Sequence, residues 1–345
     1  NYLEDDTSDI VEVEVQAKSF TTVATNDVEL KIARYLDQIA PSATGDLSLV
    51  LGEIQLLSGD EFSEAFSSLS PDLYDKGAQV TFANVRNYVQ VLQQRMNHVR
   101  ESSSPVESGS DHPLLAYNGS DAELGRFLSV RERTSEPRRY DLWLQGFRQW
   151  GDQDGDVAHT GYDYWMGGAT LGLDYLLTDW LLAGINIGYS YTDINLDSNR
   201  GDGDIRSTYG SLYGMFFKDR FYAEGALTCG VNDYNNDRVI QIGGIRRNAN
   251  SDYDGNVWSA FLGAGYTVPL NAWMLRFFGS LQYARLEEES FEESGADDLN
   301  LRIGDRQTDF LVSELGLRLS REFSTQNGRF LPEVSVGWKY DYDID

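Results

Sequence analysis

The chain has 345 residues with 28 basic and 55 acidic side chains, a formal net charge of −27 at pH 7. So acidic a surface repels polyanions, which excludes nucleic acid as a partner and disfavours anionic lipid as an electrostatic one. A single cysteine, Cys229, excludes an intrachain disulfide and any multi-cysteine metal site, while 12% aromatics and 33 glycines point to aromatic-rich strands rather than acidic disorder.

Ile10 to Val15 reads IVEVEV, a short strand with its valines on one face. From Asn26 the period becomes helical, with Val28, Ile32, Tyr35, Leu36 and Ile39 in a stripe and Asn26 with Glu29 forming a capping box. Helices are predicted near 46–57 and 60–69, then a longer one whose stripe is Phe82, Val85, Val89, Leu92, Met96 and Val99. That stripe is expected to pack on the helices of 28–69. Residues 102–138 are polar and rich in Ser and Pro, and read as a linker with a short helix at Ala122 to Leu128.

After Tyr140 the period is two. In Trp180 to Asp193, Leu181, Ala183, Ile185, Ile187, Tyr189 and Tyr191 share one side, and Gly184, Asn186, Gly188, Ser190 and Thr192 the other. Similar runs continue to Tyr340, each about ten residues long, the length of a tilted membrane-spanning strand. No apolar run approaches the roughly 18 residues a membrane helix needs, and the first residues lack the pattern of a signal peptide.

A soluble sandwich would pack its inward face with large apolar groups. Here that face carries glycine, serine and the charged Glu224, Arg276, Glu314, Arg318 and Lys339, which suits a hydrated bore; structural ion pairs among facing strands are an equal reading of these charges. Tight connections at 176–179, 218–220 and 269–272 alternate with long acidic ones at 150–162, 193–206, 232–256 and 285–309. Tyr175, Trp180, Tyr189, Tyr191 and Trp273 lie near strand ends, where rings favour the headgroup level of a bilayer. The pattern predicts a mainly β fold, a transmembrane antiparallel up-and-down β-barrel with an N-terminal helical segment.

Three motifs argue for less than they suggest. Asp152 to Asp163 spaces carboxylates like a calcium loop, but its glycine is Gly155 rather than the sixth residue and no Glu closes it. His159 near Asp154 and Asp156 could form a dyad at a barrel rim, yet no nucleophile motif accompanies it. Asn235-Asn236, a candidate self-cleavage dipeptide, falls in a barrel loop and not in the linker, so self-cleavage is not expected.

The segments SFTTVATNDVELKIARYLDQI, LSPDLYDKGAQVTFANVRNYVQVLQQRM, DLWLQGFRQWGDQDG, YGSLYGMFFKDRFYAEGALTCGVNDY and LPEVSVGWKYDYD occur in this order. Together they resemble the translocator of a classical (type V) autotransporter. The resemblance implies a twelve-stranded barrel, about nine strands of which are visible, in the Gram-negative outer membrane among lipid and lipopolysaccharide. It implies insertion by the barrel assembly machinery with periplasmic chaperones, and export and anchoring of the chain's own N-terminal passenger, with no cofactor and no enzymatic activity. On this reading residues 1–26 end the passenger, 27–101 are the helical segment, 102–138 a linker through the pore, and 139–345 the barrel. The first and ninth strands are expected not to pair fully, the free edge resting on assembly-machinery protein. A porin-like channel and a rim hydrolase are the alternative readings.

Overall fold

The computed structural model describes residues 18–102, 122–129, 139–156, 159–321, 323–325, 328–330 and 332–342. It divides into two compact units, residues 1–70 with 240–247, and residues 71–239 with 248–345. The IVEVEV segment lies outside the described residues.

The first unit holds α1 (Asp27–Ile39), α2 (Gly45–Gln55) and α3 (Glu61–Leu69), with a hairpin tip at 240–247. Asn26 caps α1, its side-chain oxygen accepting the Glu29 N–H at 2.9 Å. Glu29 reaches back one residue further than a capping box requires, to the Thr25 N–H at 2.7 Å and the Thr25 hydroxyl at 2.9 Å. The hairpin tip is pinned by polar contacts within this unit. Arg247 forks onto Asp46 at 2.7 and 2.5 Å, Glu53 accepts the Gly244 N–H at 2.9 Å, and Ser68 donates to the Gln241 carbonyl at 3.1 Å.

Burial alone would raise the Glu29 carboxyl, but the Thr25 N–H and the Ser63, Thr25 and Asn26 side chains outweigh it and hold the group below its ordinary value of 4.5. A depressed carboxyl stabilises the folded state above its unfolded pKa, and that contribution is lost as pH falls through the lower folded value. Protection of the α1 amides, relative to their intrinsic exchange rate at each pH, is therefore expected to fall on acidification below about pH 4. Glu29→Gln should show weaker protection at neutral pH and a flatter dependence; an equally steep profile in that variant would assign the acid sensitivity elsewhere.

The second unit contains α4 (Asp72–Ser102) and a ten-stranded sheet in the order β1-β2-β3-β4-β5-β6-β7-β8-β11-β14. Its strands are β1 (Ala122–Ser129), β2 (Tyr140–Gln153), β3 (Tyr162–Thr178), β4 (Leu181–Leu196), β5 (Gly201–Lys218), β6 (Phe221–Ile242), β7 (Ile245–Leu270), β8 (Trp273–Glu288), β11 (Arg306–Ser320) and β14 (Glu333–Tyr342). Two small ladders join β9 (Phe291–Glu292) to β10 (Arg302–Ile303) and β12 (Phe323–Thr325) to β13 (Gly328–Phe330). Sequence neighbours in the large sheet pair antiparallel, as between β3 and β4. The sheet's two edges are β1 and β14, and no ladder joins them among the described residues.

Two expectations need correcting. Ala122 to Leu128 is not a helix: it lies in β1, which pairs with β2 from Ala122 opposite Gln149 to Ser129 opposite Trp143. An Ala-Glu-Leu-Gly-Arg-Phe-Leu run has helical propensity in isolation, but a neighbouring strand offering a row of backbone partners overrides it. Nor are 193–206 and 232–256 long loops. β4 and β5 run on to a short link at 197–200, and β6 and β7 continue to a turn at Gly243 and Gly244, so Asn235-Asn236 sits within a strand. Beyond the bilayer both faces of a hairpin meet water and apolar alternation is no longer required, while the backbone ladder continues regardless.

Asp219, Gly243 and Asn271 have φ of 56°, 52° and 56° in the hairpin turns, a left-handed conformation that Asp, Gly and Asn tolerate best.

Candidate functional site

α4 lies inside the curl of the sheet. From Val80 to Arg100 none of its residues is exposed: Asn87, Tyr88, Val89, Val91 and Leu92, which span more than half of the circumference, are buried, and Arg86, Gln90, Gln93, Asn97 and Arg100 form a half-buried stripe on the remaining side. A helix resting on one neighbour buries one stripe; burial over more than half of the circumference requires strands on several sides of α4. At about 1.5 Å per residue its 31 residues reach roughly 46 Å. The Phe82–Val99 stripe accordingly packs on strands, not on other helices as expected. Val89, Leu92, Met96 and Val99 join Trp143, Phe147, Tyr213 and Phe261 in one core, and Phe82, Val85 and Tyr88 join Tyr209, Val257 and Leu286 in another. Of the segment expected in the pore, 122–129 instead forms the edge strand, and 103–121 and 130–138 lie outside the described residues.

The polar residues of α4 find their partners on the inward face of the strands. Asn84 donates to the hydroxyls of Ser190 at 2.8 Å and Ser207 at 3.4 Å, Thr81 shares a hydrogen bond with Tyr234 at 2.9 Å, and Gln145 donates to Gln94 at 3.0 Å. Arg95 is the largest such anchor. Its guanidinium bonds Asp174 at 2.7 and 3.1 Å and Asp141 at 2.8 Å, with side chains of Arg95 and Asp174 only 1% and 3% exposed. Tyr213 donates to Asp174 at 3.1 Å and accepts from the Trp143 indole at 2.8 Å, which completes the buried network.

The charges of α4 also run in register with the wall. Asp75, in its first turn, pairs with Arg306 at 3.0 Å, and the Asp72 carboxylate accepts the Thr160 N–H at 3.1 Å. Arg95 and Arg100, towards its other end, lie near Asp174 and Glu224. Acids at the N-terminus and cations at the C-terminus also suit the helix dipole, so one direction of threading is favoured over its reverse.

Glycine provides room where the helix comes closest. A Cβ built on Gly188 would stand 2.4 Å from the Tyr88 ring and 2.8 Å from the Thr170 hydroxyl. The small residues of β4 are therefore the cradle of α4 as well as the wall of a polar bore.

Of the five charged candidates, Glu224 is buried, with Gln93 bonded to it and Arg100, Arg276 and Arg318 near enough to act on it electrostatically. Arg276 stands directly opposite Arg318 in the β8–β11 register, and Arg318 pairs with Glu333 at 3.0 Å. Glu314 is half-buried and stands opposite the exposed Lys339 on β14. Arg95, Asp141 and Asp174 were not among the candidates; the signal for them was the position of Arg95 directly before Met96 of the apolar stripe, with Thr81, Asn84 and Asn87 as further polar residues among buried apolar ones.

The other face of the strands is oily. Ile187, Leu227 and Leu262 are 58%, 62% and 67% exposed. Tyr175, Trp180 and Trp273 are exposed beside the tight turns, where Trp180 meets Phe216 with ring centroids 5.3 Å apart. Tyr189 is exposed and Tyr191 half-buried at the far level, Tyr191 against Trp165 at 5.5 Å. Ten residues separate Trp165 from Tyr175 on β3, about 33 Å of strand and roughly 25 Å of height at the usual tilt, the band an outer membrane presents. No described helix is long and apolar enough to cross a membrane.

Over residues 142–345, more than half of the chain, the sequence matches the family model described as "Autotransporter beta-domain". The chain belongs to this family. It is an outer-membrane translocator domain, and its place is the bacterial outer membrane. The translocator domain of autotransporter NalP from Neisseria meningitidis shares its fold, with a TM-score of 0.53 at 16% identity over 76% of this chain and 79% of that one. Esterase EstA of Pseudomonas aeruginosa is 28% identical over 159 residues, 45% of this chain and 24% of the relative. An extracellular serine protease of Serratia marcescens is 28% identical over 206 residues, 58% of this chain and 19% of the relative. The chain thus spans a quarter or less of the length of these curated relatives.

His159, read from sequence as an exposed loop histidine, lies half-exposed beside the start of α4. Its ring nitrogen stands 3.8 Å from Asp72, at the start of α4, and its backbone N–H donates to the Asp156 carboxylate at 2.8 Å. Among the described residues no group of three or more His, Cys, Asp or Glu is placed to hold a metal ion.

Proposed function

We propose that this chain exports an upstream passenger and anchors it at the cell surface, with α4 as the segment that comes to rest in the bore. Residues 1–26 then belong to the passenger end, 27–71 to the stem, and 102–138 to the connection between α4 and the first full strand. The observation that carries this reading is the burial of α4 over most of its circumference against the inward face of the strands, with no residue from Val80 to Arg100 exposed. A diffusion channel would need that space for solutes. Glu224, Arg276, Glu314, Arg318 and Lys339 line the same bore, and Tyr175, Trp180, Tyr189, Tyr191 and Trp273 sit at the headgroup levels beside lipid and lipopolysaccharide. Insertion of such strands requires assembly machinery and periplasmic chaperones, because their apolar faces aggregate in water.

The function needs no bond-making chemistry from the chain. An epitope-tagged passenger fused before Asn1 should reach the surface in intact cells, and protease added outside should remove it. Deleting 140–345 should abolish display, whereas His159→Ala should leave it within about twofold of the parent, the scatter expected of a substitution at an exposed loop residue. Display that survives the deletion would refute the assignment. A large loss with His159→Ala would give that histidine a part in export.

A further inference from the structure

The segment between β8 and β11 does not stand out from the sheet as an open loop. Its residues Phe291, Glu293, Ala296 and Leu299 are buried. The Phe291 ring stacks 4.2 Å from Tyr253, which points inward from β7, and lies 4.8 Å from Tyr74 in the first turn of α4. Glu293 joins three separate bodies. It accepts the Tyr74 hydroxyl of α4 at 2.5 Å, two guanidinium bonds from Arg238 on β6 at 2.8 and 2.6 Å, and the Leu301 N–H of its own segment at 2.6 Å. Arg238 also donates to the Leu299 carbonyl at 3.1 Å, and paired backbone bonds of 2.8 and 2.9 Å tie Ser294 to Asn250 of β7.

We propose that residues 289–305 form a lid over the long-loop mouth of the bore, and that the Tyr74–Glu293–Arg238 latch couples its closure to the seat of α4. The inference rests on the reading of α4 as the segment at rest in the bore, and adds how its arrival is registered. Without α4, Glu293 keeps Arg238 but loses the Tyr74 hydroxyl, and Phe291 loses one of its two aromatic neighbours. The lid is then held by fewer contacts and opens more often. With α4 seated, both return, and by linkage the lid must retain α4 as much as α4 retains the lid. A lumen that passes an extended chain before α4 arrives would thus have a loosened mouth, and one that has finished would have it closed.

Hydrogen exchange on the full chain in detergent micelles or nanodiscs tests the coupling. Tyr74→Phe keeps the ring and removes the hydrogen bond to the charged Glu293 together with the weaker 3.2 Å one to the Ser251 hydroxyl, so amides of 289–303 should exchange about tenfold faster. Glu293→Gln should accelerate both that segment and residues 72–78 of α4 by a similar factor, with mid-strand amides of β4 unchanged as the control. Arg238→Gln provides an independent route should Tyr74→Phe give little folded protein. Lid rates that ignore Tyr74→Phe, or a Glu293→Gln effect confined to the lid, would overturn the coupling. Free exchange across residues 80–95 in the unsubstituted chain would instead overturn the seating of α4 itself, so the two failures are separable.

Discussion

Arg95→Met is expected to turn an electrically quiet domain into a leaky one. The parent chain in a planar bilayer should show small, rare openings, because α4 fills the bore. Methionine keeps much of the stem volume but leaves Asp174 buried without its cation, and truncating one partner of a buried pair costs about 3–5 kcal/mol. That cost falls on the state with α4 seated, because an unseated helix lets water reach the carboxylate. At about 1.4 kcal/mol per tenfold, the open population should rise by two to four powers of ten. Arg95→Met combined with Asp174→Leu should be less leaky than Arg95→Met alone, since no buried charge is left stranded and Asp141, 42% exposed, keeps its water. If the double variant is as leaky as the single, the ion pair is not what seats the helix. The same recordings decide against a porin-like channel, which would conduct without any substitution.

The membrane face of this domain was legible because hydrocarbon is an exacting solvent. Leu227 and Leu262 are large and exposed to it, and their alternation with Thr228 and Gly263 has no cheaper explanation than one oily and one wet face. Above the bilayer that discipline ends. Asp233, Asn235, Asp252 and Asp254 look like loop residues in the sequence, yet lie on β6 and β7 because backbone pairing needs no apolar side chain. The helix α4 was legible as a helix and misplaced, since three-and-four spacing reports a buried stripe and is silent on what buries it. What betrays its surroundings is polarity: Thr81 and Asn84 are buried and bond Tyr234, Ser190 and Ser207 on the strands, partners that the apolar side of a helical bundle would not offer. The Tyr74–Glu293–Arg238 latch joins residues 219 and 55 positions apart, a distance at which no local pattern links them.

Gly188→Leu should unseat α4 without disturbing the membrane face. The substituted side chain would grow from a Cβ already 2.4 Å from the Tyr88 ring and 2.8 Å from the Thr170 hydroxyl, closer than real Cβ contacts come. β4 is fixed by ladders to β3 and β5 on both sides, so the strand cannot retreat, and the helix must give way. Overpacking of a dense core costs about 1–3 kcal/mol where neighbours can adjust, and more where they cannot. The variant should still insert and migrate as a folded barrel, while α4 amides around Tyr88 lose protection and bilayer openings become frequent. Tyr88→Ala in the same chain removes the obstructing ring and should restore much of the quiet state. Should Gly188→Leu stay closed, or Tyr88→Ala fail to relieve it, the bare side of β4 would owe its glycines to strand geometry rather than to the helix that lies against it.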